Sequence, residues 1–158
     1  DISDARIKPK PREPIPILVG GRSDAALERA AKHSEGWIGV WCSAKRYAEA
    51  LGILAEKAKE YGRNQVDWSH GYQPWIGVDK EDPKKARAAV AEGMEDFYKI
   101  PFSKFERYTP FGTPSQVAEQ LVPYIESGCR LFNLKVCASK PEEEMELGAE
   151  VLALLRKN

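Results

Sequence analysis

Apolar positions along this chain switch between two spacings. Short β-branched runs, apolar at nearly every position, are each followed by a longer stretch in which apolar residues return every three or four positions. The first pattern predicts buried strands and the second amphipathic helices. Ile15 to Val19, bounded by Pro14 and Gly20, predicts the first strand. Ser23 or Asp24 is placed to cap the next helix, whose apolar face runs Leu27, Ala30, Ala31 and which gives out near His33 and Ser34. Gly36 turns the chain into a second short strand, Trp37 to Val40. Ser43 then caps a longer helix with the stripe Tyr47, Leu51, Leu54, Ala55, Ala58 and Tyr61, ended by Gly62.

A turn-rich stretch from Arg63 to Gly71 precedes the third predicted strand, Tyr72 to Val78, in which Pro74 restricts the ladder. Asp82 followed by Pro83 reads as a cap with proline in the first helical position, starting a helix to about Lys99. Lys99 to Gly112 is aromatic and irregular. Thr113-Pro114-Ser115-Gln116 reads as a capping box, opening a helix to Glu126 in which Pro123 predicts a kink. Gly128 closes that helix, Leu131 to Val136 predicts the fourth strand, and Pro141 to Arg156 the last helix. Strands alternating with helices imply parallel βαβ units with right-handed crossovers, so residues 1–158 read as a single α/β domain. Periodicity leaves two architectures open: a small open sheet, or part of a barrel.

Composition narrows the function more than the fold. With 42% hydrophobic and 30% charged residues the chain can bury one ordinary core. Twenty-four basic residues balance twenty-four acidic ones, and the Lys and Arg residues do not cluster, so neither nucleic acid nor an anionic membrane is an expected partner. No apolar stretch reaches membrane-spanning length, and the start lacks a secretory pattern. Three widely spaced cysteines, Cys42, Cys129 and Cys137, fit a reducing cytoplasm better than a disulfide or zinc scaffold. The chain opens on Asp1 rather than Met, which points to a processed, truncated or proteolysed polypeptide.

The most informative local feature is Gly20-Gly21-Arg22-Ser23-Asp24, where a strand ends on two glycines as a helix begins. Glycine admits positive φ and close approach of a ligand to the backbone. The helix terminus adds partial positive charge, Ser23 a hydroxyl and Arg22 a formal charge, which together make a phosphate cradle. The same residues equally describe a tight strand-to-helix turn with an ordinary cap.

Two segments resemble one known family. "PKPREPIPILVGGRSDAALERAAKHSEGWIG" is similar to the opening of the second half of luciferase-like monooxygenases, and "FGTPSQVAEQLVPYIESGCRLFNLKV" to the segment near their carboxyl end. They occur in the family's order and at about its spacing. The resemblance implies parallel βα units forming about half, strands five to eight, of a TIM-type (β/α)8 barrel. It also implies a flavin- or F420-dependent oxidoreductase or monooxygenase acting on a small-molecule substrate. FMN or coenzyme F420 would rest its phosphate on the loop after the fifth strand, here Gly20, Gly21, Arg22, Ser23 and the amide of Asp24. Trp41 would wall the ring pocket, or else pack under the next helix. A TIM barrel needs about 250 residues, so the chain reads as half an enzyme, with the residues of catalysis expected in the other half. A stand-alone half-barrel that binds a phosphorylated ligand without catalysis is the alternative.

Four strands cut from a barrel leave two open edges and an inner face drawn from Ile17, Val19, Ile38, Val40, Ile76, Val78, and Leu134 or Val136. A homo-oligomer, or a complementing amino-terminal half, is the expected cover, with helices folded back over the face as the structural alternative. Trp41, Cys42, Cys137 and Ser139 fall at the carboxyl ends of predicted strands, where barrel sites form. No base can be paired with Cys137. His70 precedes its strand, His33 lies at a helix carboxyl end, and no His, Cys, Asp or Glu set has metal-ligand spacing. The acidic run after Pro141 reads as a solvated helix start.

Overall fold

The computed structural model describes residues 8–157. The chain forms β1 (Leu18–Gly20), α1 (Asp24–His33), β2 (Gly36–Gly39), α2 (Ala44–Glu60), β3 (His70–Tyr72), β4 (Trp75–Val78), α3 (Pro83–Tyr98), β5 (Phe111–Gly112), α4 (Pro114–Glu126), β6 (Cys129–Phe132), β7 (Lys135–Ala138) and α5 (Glu144–Leu155). All strand pairs are parallel, in two sheets ordered β1-β2-β3-β6 and β5-β4-β7.

The two sheets share two strand courses. β3 and β4 are separated only by Gln73-Pro74, and β6 and β7 only by Asn133-Leu134. Pro74 has no amide to donate, yet its carbonyl accepts from Lys135 N at 3.0 Å, and Tyr72 O accepts from Asn133 N at 3.0 Å. The single strands expected over 72–78 and 131–136 are therefore each broken in two but remain hydrogen-bonded across the break. The first strand is also shifted. It begins at Leu18 rather than Ile15, and Ile15 and Ile17 are 70% and 58% exposed. Pro14 and Pro16 keep the preceding segment out of the ladder, apolar though it is. Val40 lies past the end of β2, and β5, inside the aromatic stretch that read as irregular, adds a short rung beside β4.

Helix ends follow the local chemistry closely. Ser23 caps α1, accepting from Ala26 N at 3.2 Å; Ser43 does the same for α2 through Arg46 N, and Asp82 for α3 through Lys84 N. Thr113 and Gln116 form the reciprocal capping box, and α4 continues through Pro123. Pro141–Glu143 is a 3-10 turn, so the last α-helix starts later than expected.

Helices cover both sides of the strands, unequally. Ile76 and Val78 are fully buried with Leu121, Leu147 and Val151 of α4 and α5. Both therefore leave the expected inner face: they share the parity of Tyr72, on the helix-packed side. α3 lies on the opposite side, with Val90 and Met94 against Trp75 and Cys137. It approaches so closely that a Cβ on Gly77 would strike the Ala86 carbonyl and meet Val90 Cγ1 at 2.8 Å. Gly71 shares the parity of Trp75, and a Cβ there would touch Leu131 Cδ2 at 3.3 Å and Ile38 Cγ1 at 3.5 Å. One face is thus covered by α3 at its upper end and left open below, where Leu131 is 42% exposed.

His70, the first residue of β3 rather than a residue before the strand, is a buried structural group. Its Nδ1 accepts from Trp37 N at 3.2 Å, and its ring stacks on Trp68. Burial, reinforced by the positive charge of Arg130, pulls its pKa from the usual 6.5 to about 4. The unfolded chain therefore takes up this proton at a higher pH than the folded one. Stability supplied by neutral His70 is intact above pH 6.5 and is lost as pH falls toward 4. Melting curves should show a decline across that window, and His70→Asn, which keeps an acceptor but cannot titrate, should flatten it. An unchanged slope would contradict this reading of His70.

Candidate functional site

The double-glycine loop needs its glycine. Gly21 sits at φ 121°, and a Cβ there would meet Ala26 Cβ at 2.8 Å, so any larger residue both strains the backbone and pushes against α1. Its carbonyl accepts from Trp37 Nε1 at 2.8 Å, tying the loop to β2. Directly after this turn Arg22 and Ser23 line a cavity of about 460 Å³ at the carboxyl ends of β1 and β2.

Two chain segments furnish the polar wall of that cavity in matching ways. From the loop after β1 come Arg22 and Ser23; from the loop after β2 come Ser43 and, one turn into α2, Arg46. Each serine accepts from an amide of its own helix, leaving the hydroxyl proton with no acceptor among the described residues. The first amides of each helix, on Asp24 and Ala25 and on Ala44 and Lys45, lack an intrahelical partner by construction. Among the described residues no acidic side chain lines the cavity. Arg46 does pair with Glu49 at 3.5 Å, a pair in which both side chains are about half exposed. The remaining wall is apolar and aromatic: Leu27, Trp37, Val40, Trp41, Ala50 and Tyr108.

Cys42 also lines the cavity. Burial raises its thiol to about 11, against the opposing pull of Arg22 and Arg46, so it is a neutral wall group at ordinary pH. Trp41, directly before it, has the left-handed φ of 46°. Its ring packs edge-on against Tyr98 and tilted against Phe105, each at 5.1 Å. It therefore contacts the α3 end and the aromatic segment, not the underside of α2.

Of the residues read from sequence, Arg22, Ser23 and Trp41 meet on this one cavity. Gly20 ends β1, Gly21 shapes the turn, and Asp24 opens α1 on the exposed side; none of the three lies on the cavity wall. Ser43, Arg46 and Tyr108 were not singled out as site residues. Ser43 carried a signal, as a second serine cap after a second strand; Tyr108 carried none. Cys137 and Ser139 border a different cavity, beside α3. The Cys137 thiol is raised to about 11 by burial, and Ser139 donates to Asp79, whose carboxyl that bond and the Glu81 and Asp82 amides hold at about 2. Among the described residues no His, Cys, Asp or Glu group could hold a metal, and no helix is long and apolar enough to cross a membrane.

Parallel strands carrying a cavity at their carboxyl ends, with the wall built from strand-to-helix loops, define an α/β protein with its site where barrel enzymes place theirs. The sequence model for luciferase-like monooxygenases matches residues 1–108, and the chain belongs to that family. Uncharacterised proteins of Mycobacterium tuberculosis and Mycobacterium bovis are 55% identical over 38 residues, 24% of this chain and 13% of theirs. Among solved structures, an F420-dependent secondary alcohol dehydrogenase superposes with TM-score 0.79 at 16% identity, covering 98% of this chain and 53% of that one. The F420-dependent tetrahydromethanopterin reductase of Methanopyrus kandleri gives 0.68 at 18%, covering 88% and 50%. A long-chain alkane monooxygenase gives 0.63 at 20%, covering 89% and 40%. At such identities the likeness is one of fold. The chain spans about half the length of these structures.

Proposed function

We propose that this chain is the carboxyl-terminal half, strands five to eight, of a luciferase-like (β/α)8 barrel, and that its cavity holds the phosphate of FMN or coenzyme F420 in an oxidoreductase or monooxygenase. The observation that carries the reading is the donor set of one cavity: two serine-capped helix starts, two guanidinium groups and, among the described residues, no acid. That set fits an anion with several oxygens, because amides, hydroxyls and arginines can each donate to a different one. The family membership, and the cofactors in the names of the two F420-dependent structures, support the choice of ligand.

In this reading Ser23, Ser43, Arg22 and Arg46 hold the phosphate, Gly21 keeps the loop clear, and Trp41 and Val40 border the apolar side. The bound flavin or deazaflavin supplies the redox chemistry; the residues of this chain hold it, orient it and shield part of it from water. No residue here is assigned to proton transfer. Strands one to four of the barrel, from an amino-terminal half, would close the site around a small-molecule substrate. A second copy of this chain is the other cover for the open face. The reading includes a cytoplasmic setting, which three free cysteines support.

The test is to assay the 158-residue chain for binding and turnover together. FMN or F420 should bind in preference to riboflavin, which lacks the phosphate, while NAD(P)H- or F420-dependent turnover should be near background because half the ring enclosure is absent. Robust turnover by the homogeneous chain would contradict the half-barrel, and equal binding of FMN and riboflavin would contradict the phosphate site.

A further inference from the structure

We propose that Tyr72 and Tyr124 are positioning residues for the cavity: their hydroxyls jointly hold the Cys42 carbonyl and so fix the Trp41–Ser43 loop in ligand-ready form. The proposal rests on the phosphate reading of the cavity and adds the device that sets its geometry.

The loop carries an unusual conformational load. Trp41 adopts left-handed backbone geometry that a bulky residue rarely takes. Such a residue persists only where its surroundings hold it. On one side the Trp41 ring is held by Tyr98 and Phe105. On the other, the next carbonyl, that of Cys42, accepts from Tyr124 Oη at 2.6 Å and from Tyr72 Oη at 3.1 Å. Both bonds are buried, and the two rings stack at 4.1 Å with 13° between planes, so neither hydroxyl can follow the loop if it moves. Burial raises the pKa of both phenols, Tyr124 to about 12, which keeps them donors at any working pH.

The residue after this carbonyl is Ser43, which caps α2 and lines the cavity together with Arg46 one turn on. A shift of the Cys42 peptide would therefore carry the whole α2 half of the donor set with it. Tyr47 provides an internal contrast. It belongs to the same aromatic cluster, 5.8 Å from Tyr72 and 5.6 Å from Tyr124, but its hydroxyl donates to Gly71 O in β3, away from the loop.

The experiment compares Tyr72→Phe, Tyr124→Phe and Tyr47→Phe by the ratio of FMN to riboflavin affinity. A general loss of stability leaves this ratio unmoved, whereas misplacement of the phosphate donors lowers it. Tyr124→Phe and Tyr72→Phe should each cut the ratio about two- to twelvefold, the range expected for one net hydrogen bond, and Tyr47→Phe should leave it within twofold. Should Tyr124→Phe prove too unstable to titrate, Tyr72→Phe against Tyr47→Phe decides alone. A wild-type ratio well above one that neither loop-holding variant changes overturns the positioning role only. So does an equal fall in all three variants. A wild-type ratio of one overturns the phosphate reading itself, and this proposal with it.

Discussion

Ser23→Ala is expected to weaken FMN or F420 by about ten- to a hundredfold while barely changing riboflavin. The Ser23 hydroxyl proton has no acceptor among the described residues, and the oxygen already accepts from Ala26 N, so the group is both oriented and free to donate. A hydrogen bond to a charged oxygen contributes about 1.5–3 kcal/mol, which is roughly ten- to a hundredfold or somewhat more in affinity. The substitution also removes a helix cap at a cost of about 1 kcal/mol in stability. That cost falls on the free protein whatever the ligand, which is why riboflavin is the control. Isothermal titration of both ligands against both proteins separates the two effects. Equal losses for FMN and riboflavin would mean that Ser23 acts only as a cap.

The second large effect concerns the open face. β1 and β6 end the four-stranded sheet without partners among the described residues, and below α3 the Ile38–Leu131 face lies open. Parallel sheets are almost always covered on both sides. Leu131 is 42% exposed there, and every Å² of apolar surface left uncovered forgoes about 25 cal/mol, against a whole-domain stability of only about 5–15 kcal/mol. The isolated chain is therefore expected to self-associate, and Leu131→Asp, placing a charge on the open face, should raise the dissociation constant at least about tenfold. Multi-angle light scattering measures both. A stable monomer of 17.7 kDa across the micromolar range would show that α3 alone covers enough of the face.

What was legible in the sequence was what neighbouring residues decide among themselves. The caps at Ser23, Ser43, Asp82 and Thr113 satisfy amides two or three positions away, so the residue types alone name them. Gly21 was legible for the same reason: a glycine at the end of an apolar run, before a cap, is where a tight turn needs positive φ. The proline-flanked run at Ile15 and Ile17 looked like strand because apolar content outweighed the missing amides. The breaks at Pro74 and Leu134, and the side of the sheet that α3 covers, depend on which courses lie side by side, which no local spacing encodes.

The candidate site divides along the same line. Arg22 and Ser23 could be read from their own loop. Arg46 and Tyr108 come to the cavity only because β1 pairs with β2 and the aromatic segment returns over Trp41. The Tyr124 bond to Cys42 spans 82 positions and lay beyond any motif.

Backbone amide shifts of the isotope-labelled chain, titrated with inorganic phosphate, FMN and riboflavin, test the central claim most directly. Phosphate and FMN should both move Asp24 and Ala25 at the start of α1 together with Ala44 and Lys45 at the start of α2, and riboflavin should leave these four in place. Shifts confined to other parts of the chain, or the same shifts with riboflavin as with FMN, would contradict a phosphate site between the two helix starts.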